Sequence, residues 1–522
     1  MQNRRINCII QGLFLIVMIW ICIGIVLAHF IDYPCKKYFP VTQILFNLVV
    51  IIVVALSVRF VLKQILLQNN SKIKIEKIVL WGTIIFCCLQ IYMTVNYYFL
   101  TDWDVDLIYQ SAVELARGTF SSSNRYGEFC WYYSVYPNNM ELLWIMYACL
   151  KINQFFGIID SANGIMIFII VNCMLMSVTG YLLYKIVTSM ISRIWGIFSW
   201  LMFLAFIGLS PWVTIPYSDS LGLIFPVLIL WLCMRLSESR HKIPYTIAMG
   251  FLSGVGYHIK PQTGIVFIAI IMLWGITCLQ QCVKPVRVRR MAICLALCIM
   301  AFASSTFIPK AIAASLDIPI NSDRTFGMSH FLMMGMNPKT RGVYSQDDCD
   351  YSNSFDTPEQ RKNGELQKVK ERLEEYGFKG YAQLLNEKLL TTYADGTFAW
   401  GCEGAFWKEI LPEKNEGVSH WTREFYYRDG KFYTEFLSYS QAWWMVILLL
   451  ACFTYKSHSN NFMVVIQLAI LGLTAFELLF EARARYLYTF SPLFIILAVC
   501  GLRKIKPKLS SIFRDRKRLE TR

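Results

Sequence analysis

The sequence predicts an all-α polytopic membrane protein of about 11 to 13 helices. Three observations carry that reading: apolar runs of span length recur along the chain, one long polar stretch interrupts them, and Lys and Arg gather in alternate short loops. Of the 522 residues 56% are apolar and 16% charged, more apolar surface than one soluble core can bury. A bilayer core about 30 Å thick takes roughly 20 apolar residues per helix. Such runs lie near 8–30, 41–67, 77–100, 140–158, 162–184, 193–210, 219–236, 244–257, 262–280, 290–314, 439–455, 461–480 and 486–502. They divide the chain into a transmembrane module, 1–316, whose first outer loop is 101–139; a mixed extracytoplasmic loop domain, 317–438; C-terminal transmembrane helices, 439–502; and a basic tail, 503–522, expected in the cytoplasm.

The formal net charge of +15 is read as topological. Arg4 and Arg5, Lys63 with Lys72, Lys74 and Lys77, Lys185 with Arg193, Arg235 with Arg240 and Lys242, Lys284 with Arg287, Arg289 and Arg290, Lys456 and the tail all favour the cytoplasm. The expected partner of this charge is therefore the lipid bilayer and its headgroups, not nucleic acid. The remaining connections face outward: 31–40, 101–139, 211–218, the turn from His258 to Pro261, 317–438, and Glu481 to Tyr486. The first run, behind Arg4 and Arg5, reads as a retained signal-anchor.

The run 140–158 breaks the in–out alternation. It carries Glu141, Lys151, Asn153 and Gln154 and reads as a juxtamembrane or re-entrant helix, although a tilted span with a different assignment elsewhere would also restore parity. Within 317–438, Thr357 to Glu374 reads as a charged helix with a Thr-Pro-Glu start. The aromatic residues from Tyr393 to Tyr427 read as core or interface belt before a sugar platform, and the Met-rich stretch Ser329 to Asn337 as packing before a lid. Most of the 17 cysteines lie inside apolar runs as small hydrophobes. Cys35, Cys130, Cys349 and Cys402 fall in outward stretches and leave room for one disulfide. His258 and His330 have no ligand-spaced partner, so neither supports a zinc site.

The outward polar groups are few. Asp102, Asp104 and Asp106 flank Trp103 directly after the third apolar run, where isolated carboxylates are costly to bury. They must be solvated, paired or used. Beyond them Val105, Ile108, Ala112 and Leu115 share one helical face and Asp106, Gln110, Glu114 and Arg117 the other. That pattern predicts an amphipathic helix along the outer leaflet, stopped by Gly118 and the Ser/Asn run 121–124. A second knot runs from Trp131 to Asn139, in which Pro137 biases Tyr136 to an extended backbone and can open the next helix. Pro216-Tyr217-Ser218-Asp219 adds a carboxylate at the outer end of a span, or a helix cap. Lys260, outside against the positive-inside tendency, needs an anionic partner. Glu477, Glu481 and Arg485, spaced i, i+4, i+8, read as one helical face on which Glu481 and Arg485 can neutralise each other.

The ordered set Asp102-Trp103-Asp104, amphipathic helix, Tyr136-Pro137, Tyr217-Ser218-Asp219 and Lys260-Pro261 resembles the GT-C superfamily of polyprenyl-phosphate-sugar-dependent glycosyltransferases. The likeness is to the branch related to protein O-mannosyltransferases and bacterial aminoarabinose transferases. The resemblance implies an inverting hexosyl- or pentosyltransferase of the bacterial cytoplasmic membrane, with its active site facing outside. Its donor would be a polyprenyl-phosphate sugar and its acceptor a glycan such as a cell-wall polymer or lipoglycan. It implies Asp102 or Asp104 as the base, Asp102 ahead, and Asp219 as the second acidic residue. Tyr136, Lys260, Arg483 and Arg485 would then bind substrate, the basic groups at the lipid phosphate. A divalent cation on Asp102, Asp104 or Asp219 is left open, because some members of the superfamily need one and others do not. Two other readings stand beside this one: a transporter or flippase of lipid-linked glycans, and a non-catalytic scaffold of an envelope assembly complex. The first is set back by ionisable residues that gather at one surface rather than on broken helices at the membrane midplane.

Overall fold

The computed structural model describes residues 2–68, 72–157, 161–280, 285–413, 417–455 and 461–519. Side chains of Arg4, Lys63, Lys72, Lys74, Lys284, Arg287, Lys456 and the tail beyond 505 lie outside the described residues. The described chain is helical, with no strand; one isolated antiparallel bridge joins Leu100 to Glu409.

Among the described residues nine helices are long and apolar enough to cross a membrane: Arg5–Phe30, Val41–Val58, Ile75–Tyr97, Gly164–Met190, Ser218–Glu238, Val288–Ser315, Tyr433–Cys452, Asn461–Leu479 and Ala484–Ile505. Two shorter apolar helices, Arg193–Gly208 and Pro261–Ile276, accompany them. The bundle is built around its last span, which is 94% buried, whereas Val41–Val58 and Val288–Ser315 are 11% and 17% buried and turn their apolar sides to lipid.

The run that broke the alternation folds as Met140–Phe155, 16 residues and shorter than a span. It packs beside the amphipathic helix Trp103–Arg117, and both Lys151 Nζ (2.8 Å) and Gln154 Nε2 (3.1 Å) donate to the Ala116 carbonyl at that helix's C-terminal end. Those bonds satisfy a carbonyl that the helix end would otherwise leave open. Trp103–Arg117 itself buries Val105, Ile108 and Ala112, with Leu115 half-buried, and ends on Gly118 at φ 76°, as its periodicity and its glycine predict.

The polar stretch between the last two groups of spans is also helical. Thr357 caps a helix over Pro358–Tyr393 by accepting from the Gln360 N–H at 3.2 Å, so the start is as expected, but the helix runs on past Glu374 and kinks at Gly377. Tyr393, Phe398, Trp400 and Phe406 are buried against Phe99, Trp212 and Trp444, a core and not an open platform. Met333 and Met334 are likewise interior, beside a buried His330 whose ring stacks on Phe326.

The connections that the charge pattern assigns to one side meet one another. Asp32 pairs with Arg341 at 3.4 Å, Lys37 with Asp395 at 3.0 Å and Lys408 with Asp106 at 2.6 Å. At the opposite end Lys185 pairs with Glu76, and Ser189 Oγ donates to Glu238 at 3.0 Å. The bundle therefore has two distinct polar ends, as a membrane-spanning body must.

Candidate functional site

The site begins where the span Ile75–Tyr97 leaves the apolar layer. Leu100 and Glu409 exchange two backbone hydrogen bonds of 3.0 Å, and the Asp102 N–H donates to the Ala405 carbonyl at 3.3 Å. The acidic motif is thus buckled to a strap, residues 403–409, from a distant part of the chain. Trp103 follows at φ 58°, a left-handed conformation that a bulky residue adopts only when its surroundings enforce it. The enforcement is visible: its indole N–H donates to Thr101 Oγ1 at 2.8 Å and its ring packs edge-on against Tyr217 at 4.7 Å.

The three carboxylates then part. Asp102 occupies the N-cap position but does not cap, and its half-buried carboxylate has no hydrogen bond or ion pair among the described residues. Asp104 Oδ2 accepts from the Tyr217 hydroxyl at 2.8 Å. Asp106 turns to the strap and pairs with Lys408.

Behind Tyr217 lies a buried charge network. Asp219, fully buried at the start of Ser218–Glu238, accepts from Lys260 on one oxygen and from Arg485 Nη1 on the other at 2.8 Å. The cap reading for this position is set aside, since Tyr217 is the N-cap and Asp219 spends both oxygens on cations. Arg485 lies over Trp103 at 5.1 Å, Tyr217 at 5.3 Å and Tyr486 at 5.1 Å; Lys260 sits 4.3 Å from the Tyr486 ring centre. Burial pushes the Lys260 ammonium down to about 8, with Asp219 offsetting part of the shift.

A second carboxylate closes the network. Glu403, on the strap, lies 3.0 Å from Arg483 Nη1 and 3.3 Å from Arg485 Nε, and Arg483 Nε donates to Glu481 at 2.9 Å. Burial opposes the Arg483 charge, but Glu403 and Glu481 hold it above its ordinary value. The expected single face of Glu477, Glu481 and Arg485 is overturned here. The helix ends at Leu479, 481–483 are extended or irregular, and a 3-10 segment begins at Ala484, so Glu481 pairs with Arg483 and Arg485 pairs with Asp219. Glu477 accepts the freed Arg483 N–H at 3.1 Å.

Six of the residues singled out from the sequence, Asp102, Asp104, Asp219, Lys260, Arg483 and Arg485, therefore lie in one connected region. Tyr136 is on its flank: its ring packs on Tyr132 at 5.3 Å and Phe326 at 5.6 Å, and its hydroxyl lies 4.0 Å from Cys349 Sγ. Asp102, Asp104 and Asp219 do not fit a shared metal ion. Asp104 is taken by Tyr217 and Asp219 by two cations, and no group of three or more His, Cys, Asp or Glu side chains among the described residues is placed to hold one. Glu403 escaped sequence reading. Its one signal is local: Gly401 and Gly404, at φ 77° and 46°, bracket a single acidic residue in a bend that L side chains rarely adopt.

The many-helix bundle with its charged network gathered at one end defines a multi-pass integral membrane protein. A family model described as conserved hypothetical integral membrane protein matches residues 2–505, and the chain belongs to that family. A search of curated proteins returns no match.

Proposed function

We propose that the protein is an inverting glycosyltransferase that moves one sugar from a polyprenyl-phosphate donor to an acceptor hydroxyl on the outer face of a bacterial cytoplasmic membrane, the acceptor being a cell-wall polymer or lipoglycan. The observation that carries this reading is the pairing of unlike groups: an unpartnered carboxylate, Asp102, joined through Trp103 and Tyr217 to the buried Lys260–Asp219–Arg485 set. Such a transfer needs a base for the acceptor and positive charge for the departing phosphate, and little else.

In this mechanism the acceptor oxygen attacks the anomeric carbon from the side opposite the phosphate. Its proton passes to the Asp102 carboxylate, and the carbon–oxygen bond to the polyprenyl phosphate breaks with its electron pair on the phosphate. Lys260 and Arg485 take up the growing negative charge, the guanidinium offering a fork suited to phosphate oxygens. Asp219 and Glu403 hold these cations in place before the donor arrives, so that little reorganisation is left for the reaction itself. Asp104, bound to Tyr217, positions the tyrosine that packs on Arg485.

Mass-spectrometric comparison of envelope glycans with and without the gene tests the reading in the cell. Loss of one sugar modification, restored by the wild type and not by an Asp102→Asn/Asp104→Asn chain, is the expected result. Restoration by the double variant would favour a scaffold.

A further inference from the structure

The first loop, 31–40, joins the spans Arg5–Phe30 and Val41–Val58 and lies against the segment 395–403. Lys37 ties the two together: its ammonium donates to the Trp400 carbonyl at 2.9 Å and pairs with Asp395 at 3.0 Å. Cys35 lines a small cavity there together with Ala399, Glu403 and Arg483. Cys402 lies in the chain between two of those lining residues, Ala399 and Glu403, close enough to Cys35 for each thiol to shift the ionisation of the other, and both are free. Cys35 is exposed and sits at φ 56°, a conformation ordinarily left to glycine or asparagine. Cys402 is half-buried, its N–H held by the Ala399 carbonyl at 3.0 Å, and the next residue is the Glu403 that holds both arginines.

We infer that Cys35 and Cys402 are a dithiol oxidised to a disulfide on the outer face of the membrane, where it staples the first loop to the segment carrying Glu403. The exposed Cys35 thiolate attacks one sulfur of an exogenous disulfide, either a protein dithiol oxidase or a small-molecule disulfide, and expels a thiolate. Cys402 then attacks Cys35 Sγ and expels the second. The two cysteines lose two protons and two electrons, and the exogenous disulfide becomes the corresponding dithiol. The inference rests on the outward placement of loop 31–40 and not on the transferase reading.

The same chain supplies a control. Cys22 and Cys452 lie with their sulfurs 3.8 Å apart, but within apolar spans, out of reach of an exogenous disulfide in water. Proximity alone would oxidise both pairs; proximity with access oxidises one.

The test uses the full chain in its native membrane, quenched with acid, denatured in SDS, alkylated with N-ethylmaleimide at neutral pH and digested without reduction for mass spectrometry. The expected result is a cross-linked Cys35–Cys402 peptide pair, with Cys22 and Cys452 alkylated. In a Cys35→Ser chain Cys402 takes the maleimide. Maleimide on both Cys35 and Cys402 in the wild type overturns the inference. So does a Cys402 that remains blocked in Cys35→Ser, since its partner would then be another thiol.

Discussion

Lys260 stands in a turn that the charge pattern assigns to the outer side, against the bias that keeps basic loops in the cytoplasm, and it pairs with Asp219 inside the protein. The need for a partner was legible from position alone; the partner's identity was not, because it comes from another span. Removing one member of a buried pair costs about 3–5 kcal/mol, since the other is stranded. Asp219→Asn strands Lys260 and leaves Arg485 with Glu403 alone, and is therefore expected to lower the thermal unfolding midpoint in detergent well below that of the wild type. The titration of Lys260 gives a second expectation. The ammonium is present below about 8 and is lost as pH rises through that value, so sugar transfer falls on the alkaline side with a limb near pH 8. Because an arginine does not deprotonate in this range, Lys260→Arg moves or abolishes that limb if it retains activity. Glu403 stayed hidden for a physical reason: one glutamate in an aromatic loop has no periodicity, and only the fold shows that it faces two arginines.

Elements governed by local chemistry were the readable ones. The helix Trp103–Arg117 follows from an apolar stripe and a glycine stop, and the start of Pro358–Tyr393 from its Thr-Pro-Glu cap. Gly118 tests the first directly, because a Cβ there meets nothing within 4 Å and any penalty is backbone alone. Gly118→Ala is expected to cost about 1 kcal/mol, and Gly118→Asn less, in denaturant or thermal unfolding. The break after Leu479 was not readable. No Gly or Pro lies between Leu479 and Tyr486 to announce it, and the i, i+4 spacing of Glu477, Glu481 and Arg485 suits a continuing helix. What ends the helix is tertiary: Arg483 turns to Glu403 and Glu481, and Glu477 takes the backbone N–H that the break releases.

At the scale of the molecule, charge patterning and hydropathy sort the connections into two groups, and among the described residues members of each group pair with one another, Asp32 with Arg341, Lys37 with Asp395 and Lys408 with Asp106 in one, Lys185 with Glu76 and Ser189 with Glu238 in the other. The helix Met140–Phe155 reconciles the count by lying beside the amphipathic helix without reaching span length. Candidate functional groups from the connection 101–139 and from three later segments, at Asp219, Lys260 and Arg483 to Arg485, converge only in the folded bundle, which is why the sequence could name them separately and not join them, and why it missed Glu403 on the strap. The claim that this convergence is a transferase is tested most directly by purified protein in liposomes supplied with a polyprenyl-phosphate sugar and an acceptor glycan. The account predicts sugar transfer by the wild type and a loss of about 10²–10⁴-fold in Asp102→Asn, with the protein still folded. Transfer at the wild-type rate by both Asp102→Asn and Asp104→Asn would contradict it.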